Sequence, residues 1–181
     1  MDCAVCGFEV SEGKFFEFAE KFQGKNPLPP RPEIKEILWS FAGVFQGIAL
    51  VAILTTNLNM HLLLAPLGAT AVLIFGLYDA PVSQPRNVIL GYLICAVGGV
   101  AMYNVLGNSW FPLALGLGLS IATMQITRTV HPPAGAVYLI AVSQGEGMRF
   151  VLTLVGGVIV MVLTALIVNN LSRQRSYPRF W

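Results

Sequence analysis

Charge is what this chain has least of. Of its 181 residues only 11% are charged, against 55% hydrophobic; a soluble domain carries about 25% charged residues. The shortage is concentrated, with no charged residue from Ile37 to Thr56 and none from Val88 to Thr127. Apolar runs of about 20 residues match the hydrocarbon thickness of a bilayer. Too few charges remain to solvate the outside of a soluble helical core. The composition therefore predicts an all-α membrane protein that passes through the bilayer several times.

Other scarcities exclude other classes. There are two histidines and nine acids, and seven of the acids fall before residue 37. No Ser-His-Asp order on an elbow, no HExxH helix and no carboxylate cluster is present, so no enzyme chemistry is expected. No basic stripe with interleaved aromatics points to nucleic acid. Cys3 and Cys6 form a single CxxC with no second pair, so neither metal nor cofactor is expected. Residues 1–30 contain acids and no apolar core, so no cleavable signal or import leader is expected.

What is present falls into three parts. Residues 1–36 form a polar segment ending in the stiff "NPLPPRPE", with Phe15, Phe18 and Phe22 on one face of an expected interfacial helix. Residues 37–170 hold the apolar spans, and 171–181 form a tail with Arg173, Arg175 and Arg179. Spans are expected at about 37–56, 87–106, 111–127 and 148–170, with short segments at about 66–78 and 132–142. Trp39 and Trp110 read as interfacial anchors. Gly43/Gly47, Gly98/Gly99 and Gly156/Gly157 offer close packing faces for a homo-oligomer.

The short segments resemble one another. Pro66-Leu67-Gly68-Ala69 matches Pro133-Ala134-Gly135-Ala136, and each is followed by an acid, a Ser-Gln pair and an arginine, Arg86 or Arg149. The order long, short, long thus occurs twice, over about 37–106 and 111–170. His61 takes the repeat position of Arg128. Paired Pro/Gly-headed segments point to a binding site at the repeat interface. Two topologies fit cytoplasmic termini, which the flanking Lys and Arg predict. Four spans result if the short segments re-enter, and six, with inverted halves, if they cross. Twelve residues rise only about 18 Å as a helix, which favours four full spans.

The chemistry gathers in "QITRTVHPPAGA", residues 125–136. Arg128 cannot shed its charge and is costly in lipid. Pro132 and Pro133 suit a helix's first turn, and Ala134 and Gly135 leave its backbone open. A helix starting there would aim N–H groups at an anion. His131 is a candidate donor or proton carrier. Gln125, Thr127 and Thr129 add polar lining. Pro66, Gly68 and Ala69 would supply the matching helix end, and Ser83, Gln84 and Arg86 a second candidate cluster.

"RTVHPPAGA", with "LAPLGATAVLIFG" and "SQPRNVILGY", resembles the HPP family of integral membrane proteins, named for the motif at His131-Pro132-Pro133. The resemblance covers about residues 35–170. It implies four transmembrane helices and, from plant and cyanobacterial members, transport of nitrite or a similar small anion. It leaves the first 34 residues uncovered. A bacterial-type inner or plasma membrane is the expected location. A membrane-bound enzyme or electron carrier, or an assembly module, are the other classes left open.

Overall fold

Proline, glycine and serine punctuate the chain where helices begin and end. The computed structural model describes residues 27–58 and 65–181, so Cys3, Cys6, Phe15, Phe18, Phe22 and His61 lie outside the described residues. Every regular element among the described residues is helical. They are α1 (Ile34–Leu58), α2 (Ala65–Ala71) continued by a π-helical turn (Val72–Gly76), a 3-10 turn (Pro81–Ser83), α3 (Pro85–Leu106), α4 (Trp110–Ile126), α5 (Pro132–Gln144) and α6 (Met148–Leu171). All belong to one unit, Glu33–Trp181. Prolines open α3 and α5, where no N–H is needed. Gly107 and Gly145 close α3 and α5 with φ of 71° and 66°, a conformation that side chains resist.

Three helices are long and apolar enough to cross a membrane: α1, α3 and α6. The 17 residues of α4 rise about 25 Å, near the lower limit for a span. The protein is thus embedded in a membrane, with shorter apolar helices beside the full spans.

Hydrogen bonds between helix ends fix the path. Ser40 Oγ donates to the Phe75 carbonyl at 2.9 Å, so the π-turn ends beside the start of α1. Arg86 Nη2 reaches the Thr127 carbonyl at 2.9 Å, so α4 ends beside the start of α3. Asn108 Nδ2 meets the Ser143 carbonyl at 2.8 Å, placing the end of α5 at the α3–α4 turn. Trp39 Nε1 donates to the Val168 carbonyl at 3.0 Å, bringing α6 back to α1. Each helix runs opposite to the last; α1, α3, α4, α5 and α6 pass between two ends of the bundle, and α2 with its π-turn begins within it and runs to the end that holds the start of α1. The end holding the start of α1 and the end of α6 is the proximal end; the other is distal. α2 with its π-turn, 7 plus 5 residues, and α5, 13 residues, are short helices beside those of span length, as helix length led one to expect. Non-helical residues also enter the bundle, such as His131 at φ −138° and ψ 102°.

With three helices in each, the two halves run in opposite senses and are inverted. α1 packs on α6 as α4 packs on α3, and α1 on α2 as α4 on α5. The centre is α3, which packs most extensively on α5 and next on α6, with α2 against α5 beside it. Lipid supplies no hydrophobic drive between helices, so close approach of small residues carries the packing. A Cβ on Gly99 would stand 2.7 Å from that of Ala141, and one on Gly91 2.8 Å from that of His131. Gly43 and Gly47 seat the ring of Phe75, and Gly47 also seats Met161. Gly43, Gly47 and Gly99 therefore serve contacts inside the chain, not the oligomer faces expected of them. Phe41, Phe45 and Ile53 on α1 stay exposed and face where lipid would lie.

Candidate functional site

The stretch after α4 is shaped by a Schellman turn. Thr129 N–H returns to the Met124 carbonyl at 2.7 Å and Arg128 N–H to the Gln125 carbonyl at 3.1 Å. That pattern puts a left-handed residue between them, usually glycine. Here it is Arg128, at φ 57°, the one non-glycine with positive φ among the described residues. Its side chain is exposed, and no acid among the described residues pairs with it. Two bonds from the first turn of α3 bracket it: Arg86 to the Thr127 carbonyl and Asn87 Nδ2 to the Val130 carbonyl at 3.0 Å. Arg86 and Arg128 thus stand together at the proximal end. A cation also suits the C-terminus of α4.

His131 is not open to a ligand. It is fully buried, and both ring nitrogens are engaged. Nδ1 lies 2.8 Å from the Val82 carbonyl and Nε2 2.8 Å from Thr70 Oγ1, which is itself 2.8 Å from Tyr92 Oη. The proton order follows for a neutral ring. A carbonyl only accepts, so Nδ1 carries the hydrogen. Nε2 then accepts from Thr70, and Tyr92 must donate to Thr70. The histidine expected at an anion thus ties α2, α3 and the 3-10 turn to the head of α5.

The head of α5 also departs from expectation. Pro132 and Pro133 have no N–H, and Ala134 N–H donates to the His131 carbonyl at 3.0 Å. None of its first three positions offers a free donor, so the amide cradle expected there is missing. Pro133 and Ala134 are buried and Gly135 half-buried. Nor do the two short helices bring their heads together. They run antiparallel, and Ala65 lies about 7.5 Å of helix rise beyond the Thr70–His131 contact. Pro66 is buried there, while Gly68 and Ala69 are exposed.

The free donors lie instead at the head of α3. Gln84 occupies the N-cap but does not cap. Its Nε2 is held by the Tyr78 and Ala80 carbonyls, at 3.0 and 2.9 Å, and its Oε1 accepts from Arg179 N–H at 2.8 Å. Pro85 has no N–H. The amides of Arg86 and Asn87 donate to nothing among the described residues. Just before them, Ser83 Oγ is fully buried and lacks any partner. Thr129 is buried, its hydroxyl 2.7 Å from that of Thr127. Thr127 in turn donates to the Thr123 carbonyl at 2.8 Å, so Thr129 is the donor to Thr127 and has none left.

Arg175 is the functional-grade residue that sequence reasoning missed. Read as a tail charge, it is buried, and its guanidinium bonds Glu36, Ser40, Asn169 and the Phe75 carbonyl. It also lies 4.6 Å from the centre of the Tyr78 ring. The signal available was thin: a π-turn end needing a cation, and one acid, Glu36, at the start of α1.

No cluster of three His, Cys, Asp or Glu forms among the described residues. Comparison with known proteins gives a family. Two Dictyostelium discoideum proteins, each named a transmembrane protein, are 39% identical over 171 residues and 38% over 180. These matches take in 87% and 92% of this chain but 60% and 58% of the relatives, so the chain spans about three-fifths of their length. No solved structure matches. The family model for the HPP transmembrane region matches residues 29–178, which takes in every described helix and the tail past Arg175. The chain belongs to the HPP family of transmembrane proteins.

Proposed function

We propose that this protein carries a small inorganic anion, nitrite first, through the bundle. The observation that carries the reading is the head of α3. Two backbone N–H groups and a buried serine hydroxyl lack acceptors there, beside Arg86 and Arg128, neither of which has an acidic partner among the described residues. Donors left unpaired in an apolar setting cost free energy until an acceptor arrives, and the helix dipole favours a negative one. Nitrite is compact, monovalent and rich in acceptor oxygens. Its choice over other anions rests on the HPP resemblance.

In this mechanism Arg128 draws the anion to the proximal mouth. The amides of Arg86 and Asn87 take up its oxygens, with Ser83 the next donor inward. His131 acts by position: it holds the Val82 carbonyl and so the 3-10 turn that presents Ser83. The proximal end carries Lys35, Arg86, Arg128, Arg173, Arg175 and Arg179, while Arg149 is the cation at the distal end. That asymmetry supports a cytoplasmic proximal end, termini included.

The test is flux into proteoliposomes holding the purified chain, with nitrite, nitrate, chloride and bicarbonate compared. Nitrite flux well above empty vesicles, reduced by Ser83→Ala and by Arg128→Ala, is the expected result. No flux of any of the four overturns the reading.

A further inference from the structure

The polar contacts between the two inverted halves are distributed unevenly. At the proximal end, Arg86 and Asn87 of the first half reach Thr127 and Val130 of the second. His131 reaches Val82, and Asn169 Nδ2 reaches the Ile74 carbonyl at 2.9 Å. The tail that follows α6 adds more. Arg175 bonds Glu36, Ser40 and the Phe75 carbonyl, all in the first half. Tyr177 Oη donates to the Ser83 carbonyl at 2.8 Å, and Arg179 N–H to Gln84. At the distal end, Asn108 with Ser143 is the one such side-chain bond among the described residues. The remaining distal contacts are packing, as where Gly145 faces the ring of Tyr103.

We propose that the Arg175–Glu36 pair is the lock that seals the proximal end, and that this conformation is the one closed toward that side. The pair joins the outer helix of one half to the tail of the other at 2.7 Å, with the arginine side chain 1% exposed. Packed halves shift between discrete arrangements more readily than they deform. Opening the proximal end must separate Arg175 from the Glu36 carboxylate and carbonyl, Ser40 Oγ and the Phe75 carbonyl at once, whereas among the described residues the distal side-chain bond to break is Asn108 with Ser143. The tail also grips the 3-10 turn. Tyr177 and His131 bond the adjacent carbonyls of Ser83 and Val82, so releasing the tail frees the turn that presents Ser83. A partner removed from a buried pair strands the other charge, which makes the locked state the one that suffers.

This inference rests on the transport reading for its purpose, but its test reads access and not flux. Ser83→Cys is placed in a chain with Cys3 and Cys6 changed to Ser, and reconstituted. A membrane-impermeant maleimide is then added from the proximal side. The cysteine should react slowly, and Glu36→Gln should speed it at least tenfold. Glu36→Asp, which keeps the carboxylate, should stay near the parent rate. Cys95, buried in α3, should stay unlabelled throughout and controls for loss of fold. An unchanged rate at residue 83 in Glu36→Gln, with the fold intact, overturns the lock whatever the flux. Faster labelling in Glu36→Gln, with no anion flux in the parent chain that keeps Ser83, keeps the lock and overturns the transport reading instead.

Discussion

Arg128 combines two features that a pair of substitutions can separate: a left-handed backbone and an unpaired charge. An L-residue in that conformation costs about 1–2 kcal/mol. Glycine removes the cost but loses about 0.4–1 kcal/mol through its freer unfolded chain. Arg128→Gly should therefore stabilise the protein by about 0.5–1 kcal/mol, or about 1–3 °C in melting temperature for a chain of this size. Arg128→Ala keeps the strained backbone and should leave stability near that of the parent. The charge behaves differently. Two unit charges 4 Å apart interact by about 1 kcal/mol in water and about 4 kcal/mol near a protein surface. An exposed arginine belongs to the lower half of that range, about 1–2 kcal/mol, so both variants should lose about five- to thirtyfold of flux at low nitrite. Melting in detergent and flux in vesicles are measured on the same preparations. If Arg128→Gly melts higher and still carries nitrite at the parent rate, the arginine is only a turn residue and the proposed attraction fails.

Other outcomes follow from the packing. Thr70→Val strands His131 Nε2 and Tyr92 Oη, and should cost about 1–3 kcal/mol; Thr70→Ser should restore most of the lost melting temperature. Gly116→Ala drives a methyl into the Tyr138 hydroxyl and should cost about 1–3 kcal/mol by overpacking. Tyr138→Phe forfeits the bond to the Pro112 carbonyl but relieves that clash, so the double variant should melt above Gly116→Ala alone. Burial raises the Tyr177 phenol above its usual range. A group so shifted stabilises the fold fully below its unfolded pKa of about 10 and loses that contribution as pH climbs past it. The alkaline fall in melting temperature should therefore be shallower in Tyr177→Phe than in the parent.

By itself, the sequence determined the class, the order of the elements and most of their ends. Those are local matters. Charge-free runs of span length require lipid, and Pro85, Pro132, Gly107 and Gly145 mark boundaries through their own backbone limits. The long-short-long repeat was legible for the same reason. What each polar residue does was not legible, because that depends on which segment lies opposite. His131 beside two prolines has the same local chemistry whether it meets an anion or Thr70 and Val82. The antiparallel packing of α2 against α5 decided between them. Arg175 looks like any tail arginine until the end of the π-turn, Glu36 and Asn169 are brought around it. The path of the short segments was likewise tertiary: a helix's length is a local quantity, but where its ends are held depends on Asn108, Asn87 and Ser40, each far away in the chain.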